Sequence, residues 1–273
     1  MTTALTPLTE LWSYRGLIGN LARRELKSKY KRSLLGWLWS LLNPALTLMI
    51  FTVVFGTFLK FAPPTAGNGH TQSFALFLFA ALVVWNCFNG VVVGSMASLT
   101  GAGPLLKKVY FPPACPAIAN ALTVLNQAAI EVGILVFVMI LVSNTSWVFL
   151  LFPVVLALLM LFALGIGLVL SVGNVYFRDV GYLVGVALQM LFYATPIIYT
   201  LDIVPDRVGP VPAAALIRWN PITQFVDASR SIFYLLEVPG PDTLLYLVVV
   251  SLGTLAVGSW IFQRTSRDLV EEL

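Results

Sequence analysis

The chain has 273 residues, of which 59% are hydrophobic and 10% charged, with a formal net charge of +4 at pH 7. A soluble domain runs nearer about 45–50% apolar and about 25% charged, and no water-soluble fold of this length has the interior to hide so much apolar surface. A water-soluble enzyme or carrier is therefore excluded. The expected fold class is an all-α integral membrane protein, and the positive charge, which follows the loops, is not a nucleic-acid signature.

The opening segment, "MTTALTPLTELWSYRG", lacks the short apolar core and small-residue cleavage site of a signal peptide. The first spanning helix is expected to do the targeting and to stay in place. Residues 1–33 read as a cytoplasmic N-terminus. From Asn20 to Ser33 they carry six Lys/Arg and one Glu, set directly against an uncharged run with two Trp. Leu11, Tyr14, Ile18, Leu21, Ala22, Leu26 and Tyr30 recur at helical steps, with Arg23, Lys27 and Lys31 on another face. That is an amphipathic interface helix suited to the membrane surface, its basic side toward anionic headgroups. It reads either as a topology anchor or, more sharply, as a platform for a cytoplasmic partner.

A spanning helix needs about 20 mostly apolar residues. Six runs qualify: 34–59, 74–99, 115–142, 148–172, 182–200 and 243–262. Pro44 is expected to kink the first, and Pro196 to end the straight part of the fifth. With the N-terminus in the cytoplasm, the cytoplasmic segments hold twelve Lys/Arg: seven before Ser33, then Lys107, Lys108, Arg178, Arg264 and Arg267. The external side holds four, Lys60, Arg207, Arg218 and Arg230. The positive-inside rule then places both termini in the cytoplasm. Residues 201–242 hold five acidic residues and three Arg, yet include the apolar "AAALI" and "SIFYLL". They are too broken to span and too apolar for a free loop, so short external re-entrant helices are expected there. Residues 263–273 form a cytoplasmic tail.

Catalytic chemistry is sparse, and neither catalytic nor metal-ligating residues are assigned. The one histidine, His70, sits in the first external loop, which argues against a His-based metal site or a Ser-His-Asp triad. No Gly-Lys dipeptide occurs, so the chain has no P-loop and no route to ATP hydrolysis through one. Cys87 and Cys115 lie in apolar runs and read as small hydrophobes. The sequon "NTS" at Asn144 falls in a short loop hugging the membrane and is read as chance.

Polar exceptions within the spans say more. Glu131 lies midway along the third span, near Asn126 and Gln127. An intramembrane carboxylate is costly and is a functional hypothesis by default, an interhelical hydrogen bond being the competing reading. "GYLVG", Gly181 to Gly185, is a small-xxx-small pattern that permits close helix approach, either within the chain or to a second copy. Trp39, Phe55, Trp85, Phe88, Phe192, Tyr193 and Tyr199 are candidates to line a path and stack on sugar rings, with ordinary packing as the alternative for each.

Several stretches carry a family resemblance: "RRELKSKYKRSLLGWLWSLLNP" (Arg23–Pro44), "LLKKVYFPP" (Leu105–Pro113), "GNVYFRDVGYL" (Gly173–Leu183), "TPIIY" (Thr195–Tyr199) and "WNPITQFVDASR" (Trp219–Arg230). In this order, over nearly the whole chain, they resemble the permease subunits of ABC-2 type polysaccharide exporters. These are the Wzm-like proteins that move O-antigen, teichoic acid, capsule and galactan chains, and the likeness is nearest to the galactan-type members. The resemblance implies a homodimer bound to two copies of a separate ATPase subunit, which carries the ATP and Mg; no cofactor sits on this chain. It implies that Arg23, Arg24, Lys27 and Lys29 lie on an interface helix touching that ATPase. It further implies coupling contacts at Lys107, Lys108, Tyr110, Phe111, Arg178 and Asp179, and a channel between protomers for a lipid-linked polysaccharide. The expected location is the cell (inner or plasma) membrane. Three alternatives stay open: an ABC-2 permease for a small drug or lipid, an ATP-independent flippase, and a membrane glycan-transfer enzyme.

Overall fold

The structure is a computed structural model, and it describes residues 8–31, 35–177, 179–207 and 209–266. Arg178, Leu34 at the start of the expected first span, most of the C-terminal tail and the Lys29 side chain lie outside the described residues. Among those described, the regular elements are helices throughout. A short α1 (Leu8–Ser13) leads into α2 (Arg15–Tyr30). Then come α3 (Trp39–Phe51), α4 (Phe74–Leu106), α5 (Cys115–Leu141), α6 (Phe152–Tyr176), α7 (Val180–Ala194), α8 (Ala213–Trp219), α9 (Pro221–Arg230) and α10 (Pro241–Thr265).

Among the described residues, five helices are long and apolar enough to cross a membrane: Trp39–Phe58, Phe74–Leu106, Cys115–Leu141, Trp147–Tyr176 and Pro241–Thr265. They correspond to the first, second, third, fourth and sixth expected spans. The chain is thus an all-helical, multi-pass membrane protein. The fifth expected span is shorter than 182–200. Its helix, α7, has 15 residues, about 22 Å at 1.5 Å per residue, against a hydrocarbon core of about 30 Å. The cause is local. Pro196 supplies no N–H and biases the preceding residue to extended backbone, and Thr195 has φ −91° and ψ 138°. Residues 195–199 therefore leave the helix and form a turn.

At the centre stands α4, which packs against α5, α6, α7 and α9. It is apolar around most of its circumference rather than along one stripe, as a largely surrounded helix must be, with Asn86 and Asn89 among its polar exceptions. Leu78, Ala80, Ala81, Val83, Val84, Val91 and Val92 have no solvent exposure. On one side α6 meets α10 at a crossing too close for side chains. A Cβ at Gly258 would overlap the Gly165 carbonyl, and one at Gly165 would lie 2.6 Å from the Thr254 carbonyl carbon. Small residues at a helix crossing let the backbones touch, which is how membrane helices gain packing energy where the hydrophobic effect gives none.

The amphipathic reading of α2 holds in periodicity but not in what covers its apolar face. Ile18 and Ala22 are buried, and Leu11, Tyr14, Leu17 and Leu21 pack with them against Leu99, Phe111, Cys115, Leu168 and Phe262. The stripe is seated on protein rather than on headgroups. Arg23, Arg24 and Lys27 remain exposed.

Beyond α7, the region expected to be re-entrant holds α8 and α9. The Asn220 side chain caps α9 by accepting from the Ile222 N–H at 3.0 Å, with Pro221 at the first helical position. The Ser229 hydroxyl donates to the Ala80 carbonyl of α4 at 2.7 Å. Past Arg230 the chain widens into a π-type turn, Ser231–Leu235, whose Ile232, Phe233 and Tyr234 are buried. The sequon residue Asn144 is buried beneath this turn. It donates to the carbonyls of Phe233 (2.9 Å) and Tyr234 (3.1 Å) and accepts from the Asn68 N–H at 3.1 Å. It is an internal tie, out of reach of glycosylation.

Candidate functional site

A groove of about 920 Å³ opens between α2, α3, α4 and α5. Three polar rows at helical spacing build its walls: Ser40, Asn43 and Thr47 on α3; Asn86 and Asn89 on α4; Asn120, Thr123, Gln127 and Glu131 on α5. Glu25 and Ser28 of α2 close one end, and Trp39 stands at the rim, about half exposed. Glu131 is the anchor, with 2% exposure. Its Oε2 accepts from Asn86 Nδ2 at 3.1 Å and its Oε1 from Gln127 Nε2 at 3.1 Å. Gln127 Nε2 also donates to the Ser40 carbonyl at 2.8 Å, so one carboxylate organises three helices. Glu131 therefore makes the interhelical hydrogen bonds of the plainer reading, and makes them inside a polar groove.

The position of Asn120 depends on a glycine. A Cβ at Gly94 would overlap the Asn120 amide. The close approach lets Asn120 Nδ2 donate to the Gly90 and Val91 carbonyls at 3.4 Å each.

Two smaller grooves lie beside it in turn, each sharing at least one lining residue with its neighbour. One, of about 280 Å³, shares Asn89 and is lined also by Trp85, Gly185, Gln189, Phe192 and Tyr193. The other, of about 370 Å³, shares Phe192 and Tyr193 and adds Phe55, Leu59, Phe61, Ile198, Tyr199 and Ile203. The lining thus changes from amides to aromatic rings along this series of grooves. Six of the seven expected aromatics lie on it: Trp39 in the first groove, Trp85, Phe192 and Tyr193 in the second, Phe55 and Tyr199 in the third. Phe88 does not. It is buried and stacks on Phe162 with ring centroids 5.7 Å apart. Phe192 holds the set together, 5.2 Å from Trp85, 5.3 Å from Tyr193 and 6.1 Å from Phe51.

At the end of the bundle where α2 packs, the loop after α4 splits its residues by role. Phe111 is buried in the small core beneath α2. Lys107, Lys108 and Tyr110 are exposed, Tyr110 to 82%. Asp179 is exposed too. Beside it Phe177 and Tyr182 stand out to solvent, two large rings that sequence reading passed over.

At the opposite end Arg230 is buried. Its guanidinium donates to the carbonyls of Pro196 (2.6 Å), Ile197, Phe77 (3.4 Å) and Tyr199 (3.5 Å), and lies 3.6 Å from the Phe77 ring centroid. It thereby fixes the turn after α7, and with it Tyr199. Burial pulls Arg230 down to about 9, which leaves it protonated at neutral pH. Burial pushes Asp227 up from 3.8 to about 6, against the opposing pull of Arg230 and Arg218. Between those values the folded chain keeps a proton that the unfolded chain has released. The contribution of Asp227 to stability is then largest below about pH 4 and is lost as pH rises through about 6. Thermal melting of the purified chain from about pH 4 to pH 7 should show this decline, and Asp227→Asn should flatten it.

The geometry defines a class: a polytopic helical membrane protein with grooves of amide and of aromatic lining between its helices, and, among the described residues, no group of His, Cys, Asp or Glu that could hold a metal ion. Comparison with known proteins narrows it. Residues 17–234 match the ABC-2 type transporter family, and the chain belongs to it. It is 30% identical to the O-antigen export system permease protein RfbA of Myxococcus xanthus, over 97% of this chain and 98% of that one. It is 26% identical to the RfbA permease of Klebsiella pneumoniae over 78% of each chain. It is 24% identical to the polysialic acid transport protein KpsM of Escherichia coli over 90% of this chain and 92% of that one.

Proposed function

We propose that this chain is the channel-forming permease of an ATP-driven exporter that carries a lipid-linked polysaccharide from the cytoplasmic to the outer side of the cell membrane. Membership of the ABC-2 family and near full-length similarity to O-antigen and polysialic acid transport proteins support the reading. The observation that supports it furthest is the series of grooves that share lining residues, because a long polar polymer needs many weak contacts along a path and no single tight site. Amides serve the hydroxyls, and rings such as Tyr193 and Tyr199 serve the apolar sugar faces.

In this reading two copies pair. Unburied apolar stripes on α3 and the π-type turns that continue it (Leu46, Met49, Ile50, Val53) and on α7 (Tyr182, Val186, Met190, Tyr193) give the seam its surface. Gly185, with open space around it, allows the partner's backbone to approach. Short α7 acts as the fifth of six spans, and α8 and α9 are the re-entrant external helices that cap the exit. Both termini lie in the cytoplasm. The ATP and Mg belong to two copies of a separate ATPase, so this chain is not itself the hydrolase. Exposed Lys107, Lys108 and Tyr110, with Arg178 and Asp179, dock that ATPase, while buried Phe111 ties the loop to α2. Strain on the loop then reaches the interface helix through the shared core. The basic row of α2, Arg23, Arg24, Lys27 and Lys29, meets the ATPase and lipid headgroups, and adds attraction for the substrate's pyrophosphate.

The docking claim has a direct test. The triple variant Lys107→Glu, Lys108→Glu, Tyr110→Ala should insert and melt as the parent does, because these side chains are exposed, yet lose co-purification of the ATPase. Retained ATPase binding would remove this loop from the interface.

A further inference from the structure

We propose that a groove beside the α6–α10 crossing binds one diacyl phospholipid with an anionic headgroup, apart from the path of the exported chain. The crossing makes the groove. Gly165 and Gly258 bring the two backbones into contact and offer no side chains there, which leaves a notch of about 390 Å³ alongside. Ile166, Val169 and Leu170 of α6 and Gly253, Thr254 and Val257 of α10 wall it. That volume falls within the range of about 300–1,000 Å³ for sites that hold small molecules. Both helices are long and apolar enough to span. Val257 is 57% exposed, so the open side of the notch faces hydrocarbon. Water gains nothing there: it needs about two to four polar partners, and Thr254 is the one polar side chain among the described residues of the lining. An acyl chain is the occupant that the surroundings supply.

The same face of α10 supplies the head end. From Val257, Trp260 and Arg264 follow three and seven residues on, one above the other. Trp260 is half exposed, and the exposed Arg264 lays its guanidinium 4.1 Å from the Trp260 ring centroid. Seven residues are about 10 Å of helix, so notch and cation are spaced as the chain and the headgroup of one lipid. A Trp at this level is an interfacial anchor, and an Arg beyond it carries its charge out to the headgroups. Phe262 lies in the small core beneath α2 with Leu168 and Val172. Arg264 therefore stands at the end of the bundle where Arg23, Arg24 and Lys27 are also exposed. In the proposed topology that end is cytoplasmic, and anionic lipids give the cytoplasmic leaflet its negative potential. A zwitterionic lipid would fill the notch equally well but bring a positive charge of its own to Arg264. A second copy of the chain already has the stripes on α3 and α7.

The test counts the lipids held by the purified full chain in native mass spectrometry. Detergent micelles are titrated with dioleoylphosphatidylglycerol, or with dioleoylphosphatidylcholine, which has the same chains and no net charge. Two variants separate the parts of the site. A Cβ at Gly253 would meet no other part of the protomer within 4 Å, so Gly253→Leu should fold and fill the notch. Arg264 is exposed, so Arg264→Gln should fold and lose only the cation. The parent should retain one lipid per chain and hold phosphatidylglycerol about fivefold more tightly than phosphatidylcholine. Gly253→Leu should lose both lipids, and Arg264→Gln should hold the two equally. Unchanged retention in Gly253→Leu would overturn the site, and equal binding of the two lipids by the parent would overturn the anionic headgroup. Displacement of phosphatidylglycerol by equimolar undecaprenyl pyrophosphate would give the notch to a carrier lipid instead. A Gly253→Leu chain that keeps its lipid but no longer self-associates would give it to a second copy. Either result would overturn the phospholipid. The site depends on the two spanning helices and not on the identity of the cargo, so its failure would leave the export reading standing.

Discussion

Arg230→Leu is expected to cost the chain its stable fold. The guanidinium is buried and bonded to four backbone carbonyls, of which Pro196, Ile197 and Tyr199 lie in the turn after α7 and Phe77 lies on α4. Leucine fills part of the volume but leaves those carbonyls without their donor. Asp227 would also lose the nearest cation acting on it. Removing one partner from a buried charged network costs about 3–5 kcal/mol, a large share of a typical total of about 5–15 kcal/mol. Melting followed by size-exclusion chromatography in detergent should show little monodisperse protein. Arg230→Lys should fall between, because lysine restores charge but not the planar fork that reaches several carbonyls together. A melting curve for Arg230→Leu like that of the parent would mean the turn after α7 is held by something else.

Gly258→Leu should be equally severe, for a different reason. The α6–α10 crossing is backbone on backbone, so neither helix has a flexible side chain that can give way. Overpacking a core costs about 1–3 kcal/mol when side chains can shift; here the helices must separate, and the loss should exceed that range. Gly165→Leu should act alike, since the same crossing is blocked from the other side. Gly185→Leu is the informative contrast. A Cβ at Gly185 would meet no other part of the protomer within 4 Å beyond its own helix turn, so the monomer should fold and melt normally, and any defect should appear in pairing. Normal melting of Gly258→Leu would contradict the close crossing.

These residues also show how far sequence carried the reading. Membrane class, the presence of the long helices and the family resemblance were legible, because bilayer thickness and hydropathy act over 20 or more residues at once, whereas their ends were not: the helix expected over 74–99 runs on to Leu106. The α6–α10 crossing was not. Gly165 and Gly258 are 93 positions apart, and attention went to Gly181 and Gly185, whose spacing is local. The small-xxx-small pattern marks what a helix permits, and only the fold says which helix accepts. Arg230 was counted as an external charge, yet tertiary contacts bury it in a ring of carbonyls that no local pattern reveals.

The groove was half legible. Glu131 with its neighbour Gln127, and Trp39, were singled out, but the rest of the polar rows was not, although each repeats on one helical face: 40, 43 and 47; 86 and 89; 120, 123, 127 and 131. Reading each span for polar as well as apolar periodicity would have found them. Phe88 went the other way. Its position matched the aromatic theme, but its ring stacks on Phe162 in the interior, a long-range contact invisible to spacing.

The most direct test of the central claim is transport by the purified components. This chain and its ATPase are reconstituted into liposomes with a fluorescent lipid-linked glycan, and appearance of the glycan on the far leaflet is followed on adding ATP. The expected result is transfer that requires both proteins, stops when the ATPase is made unable to hydrolyse ATP, and falls when the path is blocked at Tyr193 by Tyr193→Arg. Transfer that proceeds without ATP, or a chain that binds no ATPase, would contradict it.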